Sequence, residues 1–161
     1  TQGYSSAASD VYKRQKQKDA GVEYLLVDGY NIIFAWPELR ELSKINLDSA
    51  RDKLMDILCN YQGYQGCRLI LVYDAYKVKG NPGSTMKYHN IEVVYTKEAE
   101  TADQYIERTT HELGAKPQKY RVTVATSDAL EQMIIWGNGA TRMSALGLKA
   151  AVEAAGAEYF E

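Results

Sequence analysis

The chain has 161 residues, of which 45% are hydrophobic and 25% are charged, and its formal net charge is −2. This composition suits one globular domain with a substantial core, and the slightly acidic balance excludes a surface that is basic overall. Because no apolar run approaches the roughly 18 residues of a membrane span and no secretory segment is recognisable, a cytoplasmic protein without a membrane partner is expected.

Residues 1–20 differ in composition from everything that follows them. The stretch TQGYSSAASDVYKRQKQKDA shows almost no apolar periodicity. A disordered or non-native leader is therefore expected there. The folded domain is expected to span residues 22–161.

From Val22 onward, short apolar runs alternate with amphipathic stretches. The apolar runs predict strands at 22–27, 68–74, 91–96 and 121–126. The amphipathic stretches predict helices at 46–62, 101–114, 128–137 and 144–156, with Asp48 as N-cap of the first, and Thr101 and Gly114 at the two ends of the second. Segment 75–90 is predicted to be a loop. The alternation predicts an α/β fold, a mostly parallel central sheet with helices on both faces.

The first strand runs directly into Asp28, Gly29 and a second apolar run. An Asp-Gly pair between apolar runs is typical of a β-hairpin. However, the apolar residues before Asp28 are continuous rather than alternating, and the segment after it fits a helix better than a returning strand. The favoured interpretation is a buried strand that turns at Gly29 into a helix, and the hairpin is the alternative.

Four aspartates occupy comparable places after the predicted strands. Asp28, Asp74 and Asp128 each follow a strand, and Asp103 lies in the first turn of the helix after strand 91–96. Because the carboxyl ends of parallel strands share one edge, where ligands bind, the four acids are expected to converge. Converging carboxylates repel one another unless a cation neutralises them, and oxygen ligands suit Mg²⁺ or Mn²⁺. One or two such ions can activate water for phosphodiester hydrolysis.

Each acid also has a simpler interpretation, as a helix cap or as a favourable charge at a helix N-terminus. Independent caps need not all follow strands, so the shared pattern favours the metal site. Glu107 shares a helix face with Asp103, and its alternative is an ion pair with a neighbouring cation. Asn31 is a candidate for holding a metal-associated water or a phosphate, or else is the cap of a helix that begins at Ile32.

Basic and aromatic residues between positions 76 and 97 predict a place for RNA. From residue 77 to residue 97, four lysines accompany one acid, Glu92. Lysines interleaved with tyrosines suit a single-stranded backbone with stacked bases, and a solvated loop is the alternative. Arg142, near the start of the last helix, is a candidate for contacting a phosphate. The candidate RNA-binding residues are Lys77, Lys79, Lys87, Lys97, Arg142, Tyr76 and Tyr88.

Several other chemistries have little support in the sequence. There is no GxxxxGK[ST] phosphate loop, and GNGATR at 137–142 lacks the last glycine of GxGxxG. With two histidines in the chain, neither a His-rich metal site nor a Ser-His-Asp triad is supported. Cys59 and Cys67 lack CxxC spacing and are predicted to be reduced thiols rather than a disulfide or a metal pair.

The motifs LLVDGYNII, LILVYDA, ETADQYIE and VATSD, with GNGATRMSA farther along, resemble those of the YacP-like NYN-domain family, a branch of the PIN-like nucleases. The resemblance covers residues 23–148. It implies a Rossmann-like PIN fold and a metal-dependent endoribonuclease that cleaves mRNA in association with the bacterial ribosome. On the matching positions it implies catalytic, metal-binding acids at Asp28, Asp74, Asp103 and Asp128, with support from Asn31, Thr101, Glu107 and Ser127.

The chain departs from the family after RMSA, where a basic C-terminal helix is usual. Here LGLKAAVEAAGAEYFE is neutral to acidic, so a domain truncated at its C-terminus is expected, which bears on the partner surface rather than on the acids. Two other functions are alternatives. One is a non-catalytic RNA-binding or ribosome-associated module with a relic acidic pocket. The other is a phosphatase or phosphotransferase that uses one aspartate as its nucleophile.

Overall fold

The structure is a computed structural model that describes residues 21–75, 83–127 and 139–160, with the backbone alone for residues 157–160. The predicted leader at 1–20 and the predicted helix at 128–137, which includes Asp128, lie outside the described residues. The elements in chain order are β1 (Val22–Asp28), α1 (Gly29–Ala35), α2 (Pro37–Ile45), α3 (Leu47–Gln65), β2 (Arg68–Tyr73), β3 (Ser84–Tyr88), β4 (Ile91–Tyr95), α4 (Ala102–Gly114), β5 (Tyr120–Ala125), β6 (Thr141–Met143) and α5 (Ala145–Phe160).

The six strands of the described residues form one sheet in the order β3-β4-β2-β1-β5-β6. The central strand β1 pairs in parallel with β2 on one side and with β5 on the other. β4 and β6 extend the sheet in parallel, whereas β3 runs antiparallel to β4. The mostly parallel α/β fold predicted from the sequence is therefore confirmed. The hairpin alternative at Asp28 is wrong, because a helix begins at Gly29.

Alternate side chains of the parallel strands fill two apolar layers. One layer packs against α1, α2, α3 and α5, and its strand residues include Leu25, Val27, Leu69 and Leu71. The other packs against α4, and its strand residues include Leu26, Ile70, Val72 and Val124. Strands buried on both faces appear in the sequence as continuous apolar runs, which is why β1 and β2 are predictable. Among the helices of the described ranges, none is long and apolar enough to cross a bilayer.

Two short strands and one helix cap differ from the sequence prediction. β3 occupies the end of the predicted loop 75–90, and four of its five residues are exposed, so it lacks an apolar pattern. β6 has three residues and is held by its pairing with β5. The assignment of Asp48 as the N-cap of α3 is wrong: the side-chain oxygen of Asn46 accepts the N–H of Ser49 at 3.2 Å. Cys59 and Cys67 are free thiols, as predicted.

Candidate functional site

Asp28 and Asp74 lie at the ends of neighbouring parallel strands. Asp28 is the last residue of β1 and is level with Val72 of β2, so Asp74 lies two residues farther toward the same edge. Asp28 is 7% exposed, and Asp74 is half-buried. Leu26 and Val72, two residues before these acids, pack on the α4 side of the sheet. Because residues two positions apart on a strand face the same side, the acids lie on the α4 side as well. We call this end of the sheet the acidic edge.

The buried Asp28 does not act as a helix cap. It occupies the N-cap position of α1, but its side chain makes no capping hydrogen bond with that helix. Its backbone is extended, with φ −79° and ψ 98°, as expected for the final residue of a strand. The simpler interpretation of Asp28, that of a cap, therefore does not account for a carboxyl group at this buried position.

Thr96 fixes the backbone on both sides of Asp74. The N–H of Thr96 donates to the carbonyl oxygen of Tyr73 at 3.0 Å, and its hydroxyl oxygen accepts the N–H of Ala75 at 2.9 Å. Thr96 follows β4 and is 2% exposed, so both hydrogen bonds are shielded from water. One buried threonine thus holds Asp74 where β2 and β4 end together.

Gly29 permits close packing at the acidic edge. A Cβ atom at this position would lie 2.3 Å from Cε1 and 2.5 Å from Cδ1 of Tyr73. The ring of Tyr73 is fully buried and directly precedes Asp74. Gly29 is not among the described glycines with a positive φ, so the turn into α1 requires no left-handed backbone. The absence of a side chain lets the end of β2 approach the junction of β1 and α1.

Asn31 connects α1 to the end of β5. Because α1 begins at Gly29, Asn31 lies inside the helix and is not the cap of a helix that begins at Ile32. Its side-chain oxygen accepts the N–H of Ser127 at 2.6 Å, and the hydroxyl oxygen of Ser127 accepts the N–H of Ala145 at 3.1 Å. These two supporting residues therefore join three elements, at the position that precedes Asp128 in the sequence.

Thr101 is the N-cap of α4, as predicted, and Asp103 lies in the first turn of that helix. The hydroxyl oxygen of Thr101 accepts the N–H of Gln104 at 3.2 Å, and Oε1 of Gln104 accepts the N–H of Thr101 at 3.0 Å. This reciprocal pair satisfies two N–H groups at the helix start. Asp103 is exposed, so the capping pair fixes its backbone while its carboxyl group reaches solvent.

Glu107 lies one turn beyond Asp103 on α4 and is also exposed. Its neighbour Arg108 forms a two-pronged interaction with Glu100, at 3.0 and 3.3 Å. The cation nearest Glu107 in sequence is thus already engaged by a different acid. Asp28 and Asp74 share the acidic edge, whereas Asp103 and Glu107 belong to the helix beside it.

The predicted RNA-binding residues fall in separate places. Lys97 follows β4 at the acidic edge and is exposed. A Cβ atom at Gly83 would lie 2.9 Å from the Cγ atom of Lys97, so the two residues are close neighbours. Arg142 is exposed on β6 and pairs in register with Val124 of β5. The remaining residues of the predicted loop lie outside the described residues, and they are Tyr76, Lys77 and Lys79.

Lys87 and Tyr88 lie at the opposite edge of the sheet from Asp28 and Asp74. They pair with Glu92 and Ile91, near the start of β4. The hydroxyl of Tyr88 donates to Oδ1 of Asp56 at 2.6 Å, and this bond raises the pKa of Tyr88 to about 12. The structure therefore does not bring these two residues together with the acids, and it fastens the Tyr88 hydroxyl to α3.

A group of tyrosines and one arginine lies beside the acids and was not recognised from the sequence. The guanidinium of Arg51, whose side chain is 11% exposed, donates to the hydroxyl of Tyr30 at 3.0 Å and forms an ion pair with Asp48. The hydroxyl of Tyr73 donates to the carbonyl oxygen of Arg51 at 3.2 Å. The rings of Tyr73 and Tyr95 are stacked, with centroids 5.6 Å apart.

The sequence did contain a signal for this group. Arg51 precedes the buried residues Leu54 and Met55 by three and four positions, which places a charged side chain on the apolar face of α3. Burial raises the pKa of Tyr30, Arg51 opposes that shift, and the charge of Asp74 adds a smaller rise. The Tyr30 hydroxyl is therefore within electrostatic reach of both the arginine and the acidic edge.

The described acids fit a hard divalent cation in part. Within residues 21–75, 83–127 and 139–160, no three His, Cys, Asp or Glu side chains are grouped closely enough to hold a metal. Mg²⁺ is usually bound by one or two carboxylates together with waters and substrate phosphates. Asp28 and Asp74, on adjoining strand ends, supply that minimal set of oxygen donors, and Asp128 lies outside the described ranges.

Comparison with known proteins agrees with this architecture. The YacP-like NYN domain profile matches residues 25–159. The Bacillus subtilis (strain 168) protein named Uncharacterized protein YacP is 45% identical over 132 residues, which cover 82% of this chain and 76% of that protein. The crystal structure of Rae1 (YacP) from Bacillus subtilis is 43% identical, with a TM-score of 0.72 over 84% of this chain and 76% of that one. The crystal structure of a mutant of Rae1 is 41% identical, with a TM-score of 0.73 over 85% of this chain and 79% of that one. The resemblance seen in the sequence motifs is confirmed, and this chain belongs to the YacP-like NYN domain family, a family of PIN-like nuclease domains.

Proposed function

We propose that the protein is a metal-dependent endoribonuclease that hydrolyses phosphodiester bonds in RNA, with mRNA on the ribosome as its substrate in the cytoplasm. The observation that carries the proposal is the position of Asp28 and Asp74 at the ends of adjoining parallel strands. In open α/β sheets, ligands bind at this edge. Membership of a family of PIN-like nuclease domains supports the same reaction.

In this proposal Asp28 and Asp74 hold one or two Mg²⁺ or Mn²⁺ ions, and Asp103 and Asp128 complete the acidic site. Such an ion, when bound, lowers the pKa of water and stabilises the charge of a phosphodiester transition state. The chain itself supplies fixed oxygen atoms. Asp28 is buried at the end of the central strand, and the hydrogen bonds of Thr96 hold the backbone around Asp74. Fixed donors of this kind need little reorganisation during reaction.

Cations near the acidic edge are assigned to the RNA backbone. Lys97 is exposed just beyond β4, and Arg142 is exposed on β6. Each would contact a phosphate, so that the carboxylates do not simply repel the strand. Lys87 and Tyr88, at the opposite edge, are proposed to meet a more distant part of the RNA. Asn31 and Ser127 support the site through hydrogen bonds that join its elements, and Thr101 supports it by capping the helix that carries Asp103.

The central test is cleavage by matched aspartate-to-asparagine variants. Asp28→Asn and Asp74→Asn each replace a carboxylate with a group of the same shape, and we expect each to lower cleavage at least a hundredfold and to weaken Mn²⁺ binding. Asp103→Asn is also expected to abolish cleavage while leaving the fold intact. Asp56→Asn is the matched control: Asp56 lies on the exposed side of α3, the asparagine oxygen can still accept the Tyr88 hydroxyl, and the variant should cut RNA normally.

The assay compares naked RNA with translating ribosomes, each with Mg²⁺, Mn²⁺ or a chelator, and Mn²⁺ binding is followed separately by electron paramagnetic resonance. Cleavage of ribosome-bound mRNA alone would support the ribosome as partner. Unchanged metal-dependent cleavage by both Asp28→Asn and Asp103→Asn would overturn the assignment of these acids. RNA bound with a salt dependence but left whole would indicate the non-catalytic module, and a trapped phospho-aspartate would indicate a phosphotransferase.

A further inference from the structure

We propose that Phe34, Tyr30 and Arg51 form a nucleotide subsite beside the acidic edge, in which the Phe34 ring stacks on one RNA base and the Arg51 guanidinium binds an adjacent phosphate. The inference rests on the proposed function, because it requires RNA at the acidic edge. It assigns binding roles to residues other than the four aspartates and other than the candidate RNA-binding residues predicted from the sequence.

Phe34 is an exposed aromatic ring with a buried support. It is 44% exposed, whereas Tyr30, one turn earlier on α1, is 7% exposed. The two ring planes are 20° apart, and their centroids are separated by 6.2 Å. Tyr30 is itself packed against Tyr73, with centroids 5.1 Å apart. A ring that is held from one side and open to solvent on another is suited to stacking with a base, since every base presents a π-face.

The position of α1 places this ring close to the proposed scissile bond. α1 begins at the residue after Asp28, and the helical rise of about 1.5 Å per residue puts Phe34 roughly 9 Å from Asp28 along the axis. This separation is within the reach of the nucleotides that flank a phosphate bound at Asp28. Tyr73 and Tyr30 pack in the layer of α1 and α3, whereas Leu26 and Val72, next to the acids, pack on the α4 side. A strand bound in this way crosses the acidic edge from one side of the sheet to the other.

Arg51 provides the cation for the neighbouring phosphate. Its guanidinium is held by the Tyr30 hydroxyl and by Asp48, whose side chain is 74% exposed. Arginine has five N–H donors, and its planar group suits phosphate as well as carboxylate. The Asp48 carboxylate is largely exposed, so a phosphate that arrives from solvent can take its place as the partner of the guanidinium. The Tyr30 hydroxyl remains to orient the guanidinium.

A purely structural role would also explain part of this arrangement. The bond between Arg51 and Tyr30 ties α3 to α1, and a helix contact of this kind would account for both side chains without RNA. It does not require an exposed aromatic ring at position 34, where any helix-forming polar residue would serve equally well. The exposed ring is therefore the feature that distinguishes a subsite from a simple helix contact.

The experiment measures RNA affinity without cleavage, in the Asp28→Asn protein with Mg²⁺. Fluorescence anisotropy of a labelled single-stranded RNA 12-mer is recorded over a series of salt concentrations. Phe34→Ala is expected to weaken binding roughly tenfold, in line with the loss of one stacked base, whereas Phe34→Trp should retain affinity. The matched control is Tyr64→Ala, since Tyr64 is 49% exposed near the end of α3, at the opposite edge, and its affinity should be unchanged.

Two further measurements separate stacking and phosphate contact from loss of structure. A set of RNAs is prepared, each lacking the base at one position of the strand. Where the missing base is the one that stacks on Phe34, the Phe34→Ala variant and its parent should bind with equal affinity. Arg51→Gln should reduce the slope of log K against log salt by about 0.7, the value for one phosphate on a single strand. Arg51→Lys should keep that slope, and Arg121→Gln, near the start of β5, should not change it.

Each outcome decides between the proposals. A Phe34→Ala protein that binds as tightly as its parent, or a Phe34 effect that no abasic position removes, would overturn the subsite even if the unmutated chain cuts RNA. A Phe34 effect in a protein whose unmutated form binds RNA but never cuts it would support the subsite and overturn the endoribonuclease. A parent protein that binds no RNA would overturn the subsite, and the endoribonuclease would be overturned as well only if the unmutated chain also leaves ribosome-bound mRNA whole.

Discussion

The side-chain oxygen of Asn31 accepts the backbone N–H of Ser127 at 2.6 Å, across 96 positions of the chain. This hydrogen bond joins the helix that follows β1 to the segment that follows β5, and these two strands are neighbours in the sheet. Two strand ends at the acidic edge are thereby fixed relative to each other by one amide. The chain positions its site through such cross-connections as well as through the strands themselves.

Asn31→Ala is expected to lower stability by about 1 kcal/mol and to lower RNA cleavage at least tenfold, because the backbone before Asp128 loses its link to α1. Stability is measured by urea unfolding and cleavage with a fixed RNA. Asn90→Ala is the control, since Asn90 also bonds across elements, to Cys59 and Gln62, but at the opposite edge. Equal cleavage by the two variants would contradict this role for Asn31.

Thr96→Val should destabilise the protein by about 1–3 kcal/mol, because the N–H of Ala75 loses its buried acceptor. Cleavage should also fall, since the backbone at Asp74 is no longer held on both sides, while Thr96→Ser should preserve both properties. Thr110→Val provides a matched control: the Thr110 hydroxyl is buried and has no hydrogen-bond partner, so its removal should be neutral or stabilising. If Thr96→Val lost stability but cut RNA at the normal rate, Asp74 would not depend on Thr96.

Gly29→Ala should cost about 1–3 kcal/mol, the usual cost of overpacking a core, because the new methyl group overlaps the Tyr73 ring. Movement of that ring displaces the adjacent Asp74, so metal binding should weaken as well. Gly63→Ala is the comparison. The nearest neighbouring atom to a Cβ at Gly63 is 3.8 Å away, and alanine favours a helix over glycine by about 1 kcal/mol. A Gly29→Ala protein as stable as its parent would show that Tyr73 can move freely.

Cys67 should make stability depend on pH in the alkaline range. Burial raises the pKa of the Cys67 thiol to about 11, above the ordinary value near 9. The neutral thiol is therefore favoured in the folded state, and its contribution is complete below pH 9 and is lost as the pH rises from about 9 to about 11. The loss is up to about 3 kcal/mol. Unfolding of the parent and of Cys67→Ala, measured at pH 8 and at pH 10.5, should show a smaller pH effect in the variant; identical pH effects would contradict the assignment.

Much of the fold was predictable because its central strands are buried on both faces. β1 and β2 are continuous apolar runs, and α4 begins with a recognisable capping residue, Thr101. β3 was missed because its side chains are mostly exposed. The choice of Asn46 rather than Asp48 as a cap depends on the extended backbone at residue 46, with φ −155° and ψ 113°, since either side chain can cap a helix.

The candidate site was predictable only where it follows directly from strand ends. Asp28 and Asp74 could be placed together because parallel strands share an edge. The role of Thr96 depends on the register between β2 and β4, in which Tyr73 is level with Tyr95. The contact between Arg51 and Tyr30 joins side chains 21 positions apart. Such contacts are set by how helices pack over the sheet, and local sequence patterns do not report that packing.

The pairing of β1 with β5 also determines when the site can form during synthesis. β1 is the first described strand to leave the ribosome, yet its partner β5 ends at residue 125 and the bond to Asn31 requires residue 127. A nascent chain that ends before that point can pair β1 with β2, but it lacks β5 and the amide contact. Because contacts so distant in sequence form late, the surroundings of the two acids are completed only after residue 127 has been translated.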